Sequence, residues 1–269
     1  MSSLVKQHFT SRYPEGVLLN GDLSAIEMAC FAQLTRDYNL IKLINTGVDL
    51  HEYVYEMVYG KTIEEVSGGD KDKFRQIRTA VKAVNFGLIY GNGAKTASER
   101  TGLTEDECRQ IIDTFYQAFP NTKQWQQYNL KVVERQGYLK LLTGSRFDFK
   151  KYPAKYDWQK EKGIIESYNP PDIKNYPVQH FAFLIMALIL GRFFRTKAIY
   201  KRHKYLLINT VHDSIMADCR TNEAADEAQK DIEDIICNIP RYMLNLWNIK
   251  MLVPVKMEFG RAKSWHDIK

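Results

Sequence analysis

The feature that most constrains this chain is a fourteen-residue run, Arg78-x-x-x-Lys82-x-x-x-Phe86-Gly87-x-x-Tyr90-Gly91. Each step of four residues advances an α-helix by about 400°, a drift of about 40°. Arg78, Lys82, Phe86 and Tyr90 therefore fall within a band about 120° wide, on one face. Two cations followed by two aromatics can hold phosphates at one end and a base and sugar at the other. An ordinary amphipathic helix would put the cations on its rim and the aromatics in the core. That reading leaves unexplained why both share one stripe. The helical pattern spans residues 73–90, and Gly91-Asn92-Gly93 stops it.

Around this helix the other elements follow from periodicity and caps. Residues 16–23 form an apolar strand that ends near Asp22. A helix over 24–37 would start with Ser24 as N-cap and Glu27 as its capping-box partner. Residues 50–59 read as a short helix closed by Gly60, and 62–72 as a short helix and a loop. Residues 104–136 begin with the pair Thr104 and Glu107 and are interrupted at Pro120. A strand over 138–143 turns at Gly144, and 147–173, rich in Tyr, Pro and Lys, reads as an extended loop with one short helix. A second long helix covers 175–203. Residues 205–211 and 215–218 flank Val211-His212-Asp213-Ser214, which reads as a hairpin. An amphipathic helix over 221–246 and a strand over 251–259 complete the chain. Few, separated strands among long helices define an α+β class with an antiparallel sheet.

Composition narrows the partners. The chain is 45% apolar and 26% charged, which excludes a disordered polypeptide. Its formal charge of +6 permits an anionic partner without requiring one. Cys30, Cys108, Cys219 and Cys237 contain no C-x-x-C pair, so they read as small buried hydrophobes rather than zinc ligands or disulfides. The first residues have no apolar signal region, and the longest apolar run, 181–190, is half a membrane span. The expectation is a cytoplasmic protein, not secreted, with no membrane partner and a buried helix at 181–190.

Three acids lie on or beside strands: Asp22, Asp213 and Asp218. One such acid alone is usually a turn-former or a surface charge. Asp22, however, opens Asp22-Leu23-Ser24-Ala25-Ile26-Glu27, and Asp213 sits in Val211-His212-Asp213-Ser214. With the Arg78–Gly91 run between them, these segments resemble motifs A, B and C of the family A DNA polymerases, the bacterial DNA polymerase I type. The usual forms there are DYSxIE, RxxxKxxxFGxxYG and VHDE. Asp49-Leu50-His51, Tyr116-Gln117-Ala118-Phe119-Pro120, Asn175-Tyr176-Pro177-Val178-Gln179 and Trp265 fall in the same order, so the resemblance runs from about Lys6 onward.

The resemblance implies an antiparallel palm sheet (approximately 1–48 and 174–269) and a mainly helical fingers region (approximately 49–173). It makes Asp22 and Asp213 catalytic. With the backbone carbonyl of Leu23, they would hold two Mg²⁺ ions. Arg78, Lys82, Phe86, Tyr90, His51 and Glu27 would bind the incoming nucleotide. Glu27 would bond the Tyr90 hydroxyl and exclude a ribose 2′-hydroxyl, and Phe86 would discriminate against dideoxynucleotides. Asn175, Gln179 and His212 would contact primer-template DNA. The implied function is template-directed DNA synthesis from deoxynucleoside triphosphates. Ala25 stands where many relatives have Gln, and Ser214 replaces the Glu that usually follows Asp213, so a retuned activity is expected. Nothing in these 269 residues resembles the thumb and exonuclease-like domain of typical members, and the expectation is a split, phage-type enzyme with a second chain supplying them. Two other readings are an inactive DNA-binding or assembly module and a single-subunit RNA polymerase; Glu27 speaks against the latter. The basic residues Arg192, Arg195, Lys197, Lys201, Arg202 and Lys204 read as a solvated face.

Overall fold

A computed structural model describes residues 3–154 and 161–268. The chain divides into two compact units, residues 1–26 with 180–269, and residues 27–179. Helices α1 (Ser3–Lys6), α2 (Ile26–Thr35), α3 (Tyr38–Thr46), α4 (Leu50–Tyr59), α5 (Ile63–Ser67), α6 (Lys71–Ile89), α7 (Ala94–Thr101), α8 (Glu105–Ala118) and α9 (Pro120–Gln136) follow one another, with strand β1 (Val17–Leu23) after the first. Four short strands come next: β2 (Tyr138–Lys140), β3 (Arg146–Asp148), β4 (Lys151–Pro153) and β5 (Glu166–Tyr168). The described chain ends with α10 (Pro170–Phe193), β6 (Tyr205–Val211), β7 (Ser214–Cys219), α11 (Asn222–Cys237), α12 (Ile239–Trp247) and β8 (Met257–Ala262). The fold is mixed α+β and mostly helical, as the sequence implies.

The first unit is built on a four-stranded antiparallel sheet in the order β6-β7-β1-β8. Side chains alternate across a strand, so Leu19, Gly21 and Leu23 of β1 share one face, and Leu18, Asn20 and Asp22 the other. Helix α11 covers the first face: Arg261, in register with Leu19, reaches Asp226 of α11 at 2.6 Å. Gly21 is needed there, because a Cβ on it would stand 2.6 Å from Met257 Sδ and 2.7 Å from Phe259 Cε1. The second face packs Leu18 and Met216 against Trp265 and leaves Asp22 exposed beyond them.

The second unit packs α4, α6 and α8 around Val54, Val81, Val84, Leu88, Ile111 and Phe115. Its caps follow the sequence closely. Thr104 and Glu107 form the expected capping box, and Gly60 closes α4 at φ +66°. Gln126 Nε2 donates to the Leu88 carbonyl at 2.9 Å, and Gln126 Oε1 accepts from the Tyr116 hydroxyl at 2.9 Å, which fixes the last turn of α6.

Several expectations are corrected. Ser24 and Glu27 form no capping box: Ser24 Oγ donates to Glu258 at 2.9 Å, Glu27 accepts from Tyr90, and α2 starts at Ile26. The span 147–173 contains strands rather than only a loop; part of it, residues 155–160, lies outside the described residues. The last strand is shifted to Met257–Ala262, and the helix expected over 221–246 breaks at Asn238 ahead of Pro240. Cys30, Cys108 and Cys219 are buried as expected, but Cys237 is exposed. The stretch Pro170–Ala198 is long and apolar enough to cross a membrane by length and composition alone. Its buried positions Val178, Phe181, Ile185, Ile189 and Phe193 recur at helical spacing, the pattern of a core helix with one packed face.

Candidate functional site

The site residues fall into two groups, one in each unit. In the first unit, β1 and β7 run side by side with Asp22 opposite Ser214, one residue beyond Asp213. Leu23 N–H donates to the Asp213 carbonyl at 3.0 Å, which locks the hairpin tip against the end of β1. That tip is the two-residue turn His212-Asp213, and His212 holds φ +55°, a left-handed conformation that β-hairpin turns of this length favour and that Gly or Asn adopt more easily. On the other side of Asp22 stands Glu258 of β8, directly in register. Burial, then the charges of Asp213 and Glu258, push the Asp22 carboxyl above its ordinary range, and a hydrogen bond with the Asp213 side chain adds to it. Among the described residues no basic group offsets the charge at Asp22.

Hard oxygen donors of one sign, crowded and unneutralised, suit a divalent cation such as Mg²⁺. Among the described residues no three acidic, His or Cys side chains converge into a complete metal cage. Mg²⁺ is the cation that fits such a partial set, because it retains waters and takes substrate phosphate oxygens beside one or two carboxylates.

Asp218, the third acid singled out, is structural. It is 2% exposed, accepts from Ser11 Oγ at 2.6 Å and pairs with Arg12 Nε at 2.8 Å. Of the basic residues at and after the end of α10 that read as a solvated face, four have partners within the chain. Arg192 stacks on Tyr242, and Lys197, Lys201 and Lys204 pair with Asp231 or Glu227.

In the second unit, α6 carries the cation-and-aromatic stripe and its capping residue Tyr90 completes it. Phe86 and Tyr90 are partly exposed rather than buried in the core, so the stripe is not the rim of an ordinary amphipathic helix. Lys82 Nζ lies 5.5 Å over the Phe86 ring. Arg78 is held by Asp49 at 2.6 Å. Burial raises the Asp49 carboxyl, but hydrogen bonds, that of Arg78 foremost, outweigh it and the net shift is downward. The other Asp49 oxygen caps α4 through His51 N–H and Glu52 N–H. One carboxylate thus ties α4 to α6.

His51 is buried against this stripe, with its ring 5.7 Å from Phe86 and its Nδ1 3.2 Å from Asn85 Nδ2. Burial pushes its pKa down to about 4, with Asp49 opposing and Arg78 and Lys82 assisting. It is therefore neutral at pH 7 and can serve as a hydrogen-bond donor but not as a cation. At the far end of the stripe, the Tyr90 hydroxyl donates to Glu27 at 2.5 Å. On α10, Asn175 is 6% exposed with an unpartnered Oδ1, while Gln179, one turn on, is exposed. His212 is exposed at its turn.

Sequence reasoning missed Glu258, Asn85 and the bridging role of Asp49. Glu258 has no motif around it and is marked only by its register with Asp22. Asn85 lies inside the Arg78–Gly91 run, and a polar residue on the buried side of that helix was the available signal.

The sequence profile of DNA polymerase family A matches residues 1–267, and the chain belongs to that family. The chain is 30% identical over 268 residues to the "DNA polymerase" of Bacillus phage SP01, covering 96% of this chain and 27% of that protein. It is 26% identical to the thermostable DNA polymerase I of Thermus thermophilus, covering 94% of this chain and 27% of that protein. It thus spans about a quarter of the length of these curated relatives. A solved structure titled the POL domain of Pol1 from M. smegmatis, in complex with DNA primer-template and dNTP, shares the fold. Its TM-score is 0.74 at 22% identity, over 98% of this chain and 42% of that one. The family uses divalent metal ions.

Proposed function

We propose that the chain is the catalytic palm and fingers of a template-directed DNA polymerase, adding deoxynucleotides to a primer 3′-hydroxyl. The observation that carries this reading is the placement of Asp22 and Asp213 at adjoining strand ends, where their charges reinforce each other. Asp22, Asp213 and the Leu23 carbonyl would hold two Mg²⁺ ions. These ions, when bound, supply activation of the primer hydroxyl and neutralise charge on the triphosphate. Arg78 and Lys82 take the triphosphate, with Asp49 holding the guanidinium in place beforehand. His51, neutral and held at Nδ1, donates from its other ring nitrogen. Phe86 offers a ring to the nucleotide base and sugar. The Tyr90–Glu27 hydrogen bond closes the space a 2′-hydroxyl would need, which favours deoxynucleotides over ribonucleotides. Asn175, Gln179 and His212 face the primer-template duplex, where minor-groove acceptors common to all base pairs suit Gln.

In this reading the thumb and exonuclease-like functions come from sequence outside these 269 residues, which in a split phage enzyme is a second chain, and the enzyme acts in the bacterial or phage-infected cytoplasm. Replacing Asp213 with Asn tests the core of the proposal. Primer extension should fall by about a thousandfold, the scale of losing a principal electrostatic group. Primer-template binding should hold or tighten as one negative charge is removed. Extension at the wild-type rate would sink the assignment of the site.

A further inference from the structure

Lys174 is a cation the fold does not account for. It lies in the first turns of α10 between Ile173, buried against Val133 and Leu139, and the buried Asn175. Its stem lies over Gly91: a Cβ built on that glycine would stand 2.8 Å from Lys174 Cδ and 3.5 Å from Nζ. Gly91 sits at φ +73°, immediately after Tyr90, so the ammonium is held beside the last residues of the α6 stripe. Among the described residues no carboxylate pairs with it, and burial alone, unopposed by any charge, lowers its pKa. The contrast with Lys197, Lys201 and Lys204 is direct, since each of those reaches an acid within 2.6–3.0 Å. The next residue, Asn175, also has an unpartnered buried Oδ1. Two adjacent polar groups, a partly buried ammonium and a buried amide oxygen, thus lack a partner among the described residues. Leaving such groups without a partner costs the free protein stability, and a bound water, ion or ligand can supply the partner.

We propose that Lys174 is a nucleic-acid-binding residue whose ammonium takes a backbone phosphate of the bound primer-template beside Tyr90 and Gly91. The inference rests on the polymerase reading and adds to it an interaction that none of the three motifs contains. The ligand is a strand rather than the triphosphate. Lys82 precedes Tyr90 by eight residues, about 12 Å along α6, which places the triphosphate end of the stripe well away from Lys174. Asn175 and Gln179, which this reading turns toward DNA, lie on the same helix.

The test is the salt dependence of primer-template affinity, measured without metal or dNTP on the wild type, Lys174→Met and Lys174→Arg. Met keeps the stem over Gly91 and removes the charge. Removing one cation from a phosphate lowers the slope of log K against log[salt] by about 0.9 for duplex and about 0.7 for single strand. The expected result is a slope lowered by one such step in Lys174→Met and preserved in Lys174→Arg. The Met variant should also melt at the same or a higher temperature, because a desolvated charge is gone. An unchanged slope in Lys174→Met would overturn the inference while leaving the polymerase reading intact. A Met variant that binds less and also melts lower would make Lys174 structural, with the same consequence. A wild type with no affinity for primer-template would overturn the polymerase reading itself.

Discussion

The two groups of site residues treat charge in opposite ways. On the sheet, burial and then the neighbouring charges of Asp213 and Glu258 push the Asp22 carboxyl up, and among the described residues no cation offsets it. On the helical side, three of the site residues hold a partner: Arg78 has Asp49, Tyr90 has Glu27 and His51 has Asn85. The difference separates two jobs. The sheet keeps an electrostatic strain that a cation would relieve, which suits chemistry on phosphate. The helical side holds these side chains in position by contacts within the chain, which suits the selection proposed for them. Lys174 departs from these three: its stem lies over Gly91, and among the described residues no carboxylate pairs with its ammonium.

The comparison can be broken most severely at the sheet. Asp22→Asn removes one of the crowded acids. Extension should fall by about a thousandfold. The metal-free melting temperature should rise, and Mg²⁺ should raise the melting temperature of the wild type but not of the variant. A lower melting temperature in metal-free buffer would mean that the acids are compensated after all.

A second test uses pH on the helical side. His51 has a folded pKa of about 4 against an ordinary 6.5, so it is buried in its neutral form. The unfolded chain binds more protons between these values. Stability is therefore complete above about pH 6.5 and is lost as pH falls toward 4. Integrated over that window the loss is roughly 3 kcal/mol. Denaturant melts of the wild type and His51→Gln across about pH 4–7 should diverge by about that amount, the variant being the flatter. Parallel curves would show that the imidazole is solvated and charged.

The smallest effect concerns Asp49. Asp49→Ala removes both the α4 cap and the Arg78 partner, at a cost of about 2 kcal/mol. It should also raise the dNTP concentration needed for half-maximal extension, with the maximal rate less affected. A variant with normal stability and normal dNTP use would mean that Arg78 needs no holding.

What could be read from the sequence depended on whether the signal was local. The α6 stripe followed from spacing alone, and the His212-Asp213 hairpin from two apolar strands around a polar tetrad. Thr104 with Glu107 behaved as a capping box because the two residues bond each other. Ser24 and Glu27 carry the same signature and fail it, because Glu258 and Tyr90 compete for them across the fold. Strand β8 was misplaced for a related reason: its register is set by pairing with β1, and alternation over 251–259 did not reveal where that pairing begins. The three-residue strands between Tyr138 and Tyr168 are too short for any period to show. Glu258 and Asn85 become visible only once their cross-chain neighbours are known.

The most direct measurement is single-nucleotide extension of a primer-template by the folded chain with Mg²⁺, offering each dNTP against each templating base. The account predicts incorporation that requires the metal and follows the template, with deoxynucleotides preferred over ribonucleotides. A folded chain that binds primer-template yet adds no nucleotide, or adds one irrespective of the templating base, would contradict it.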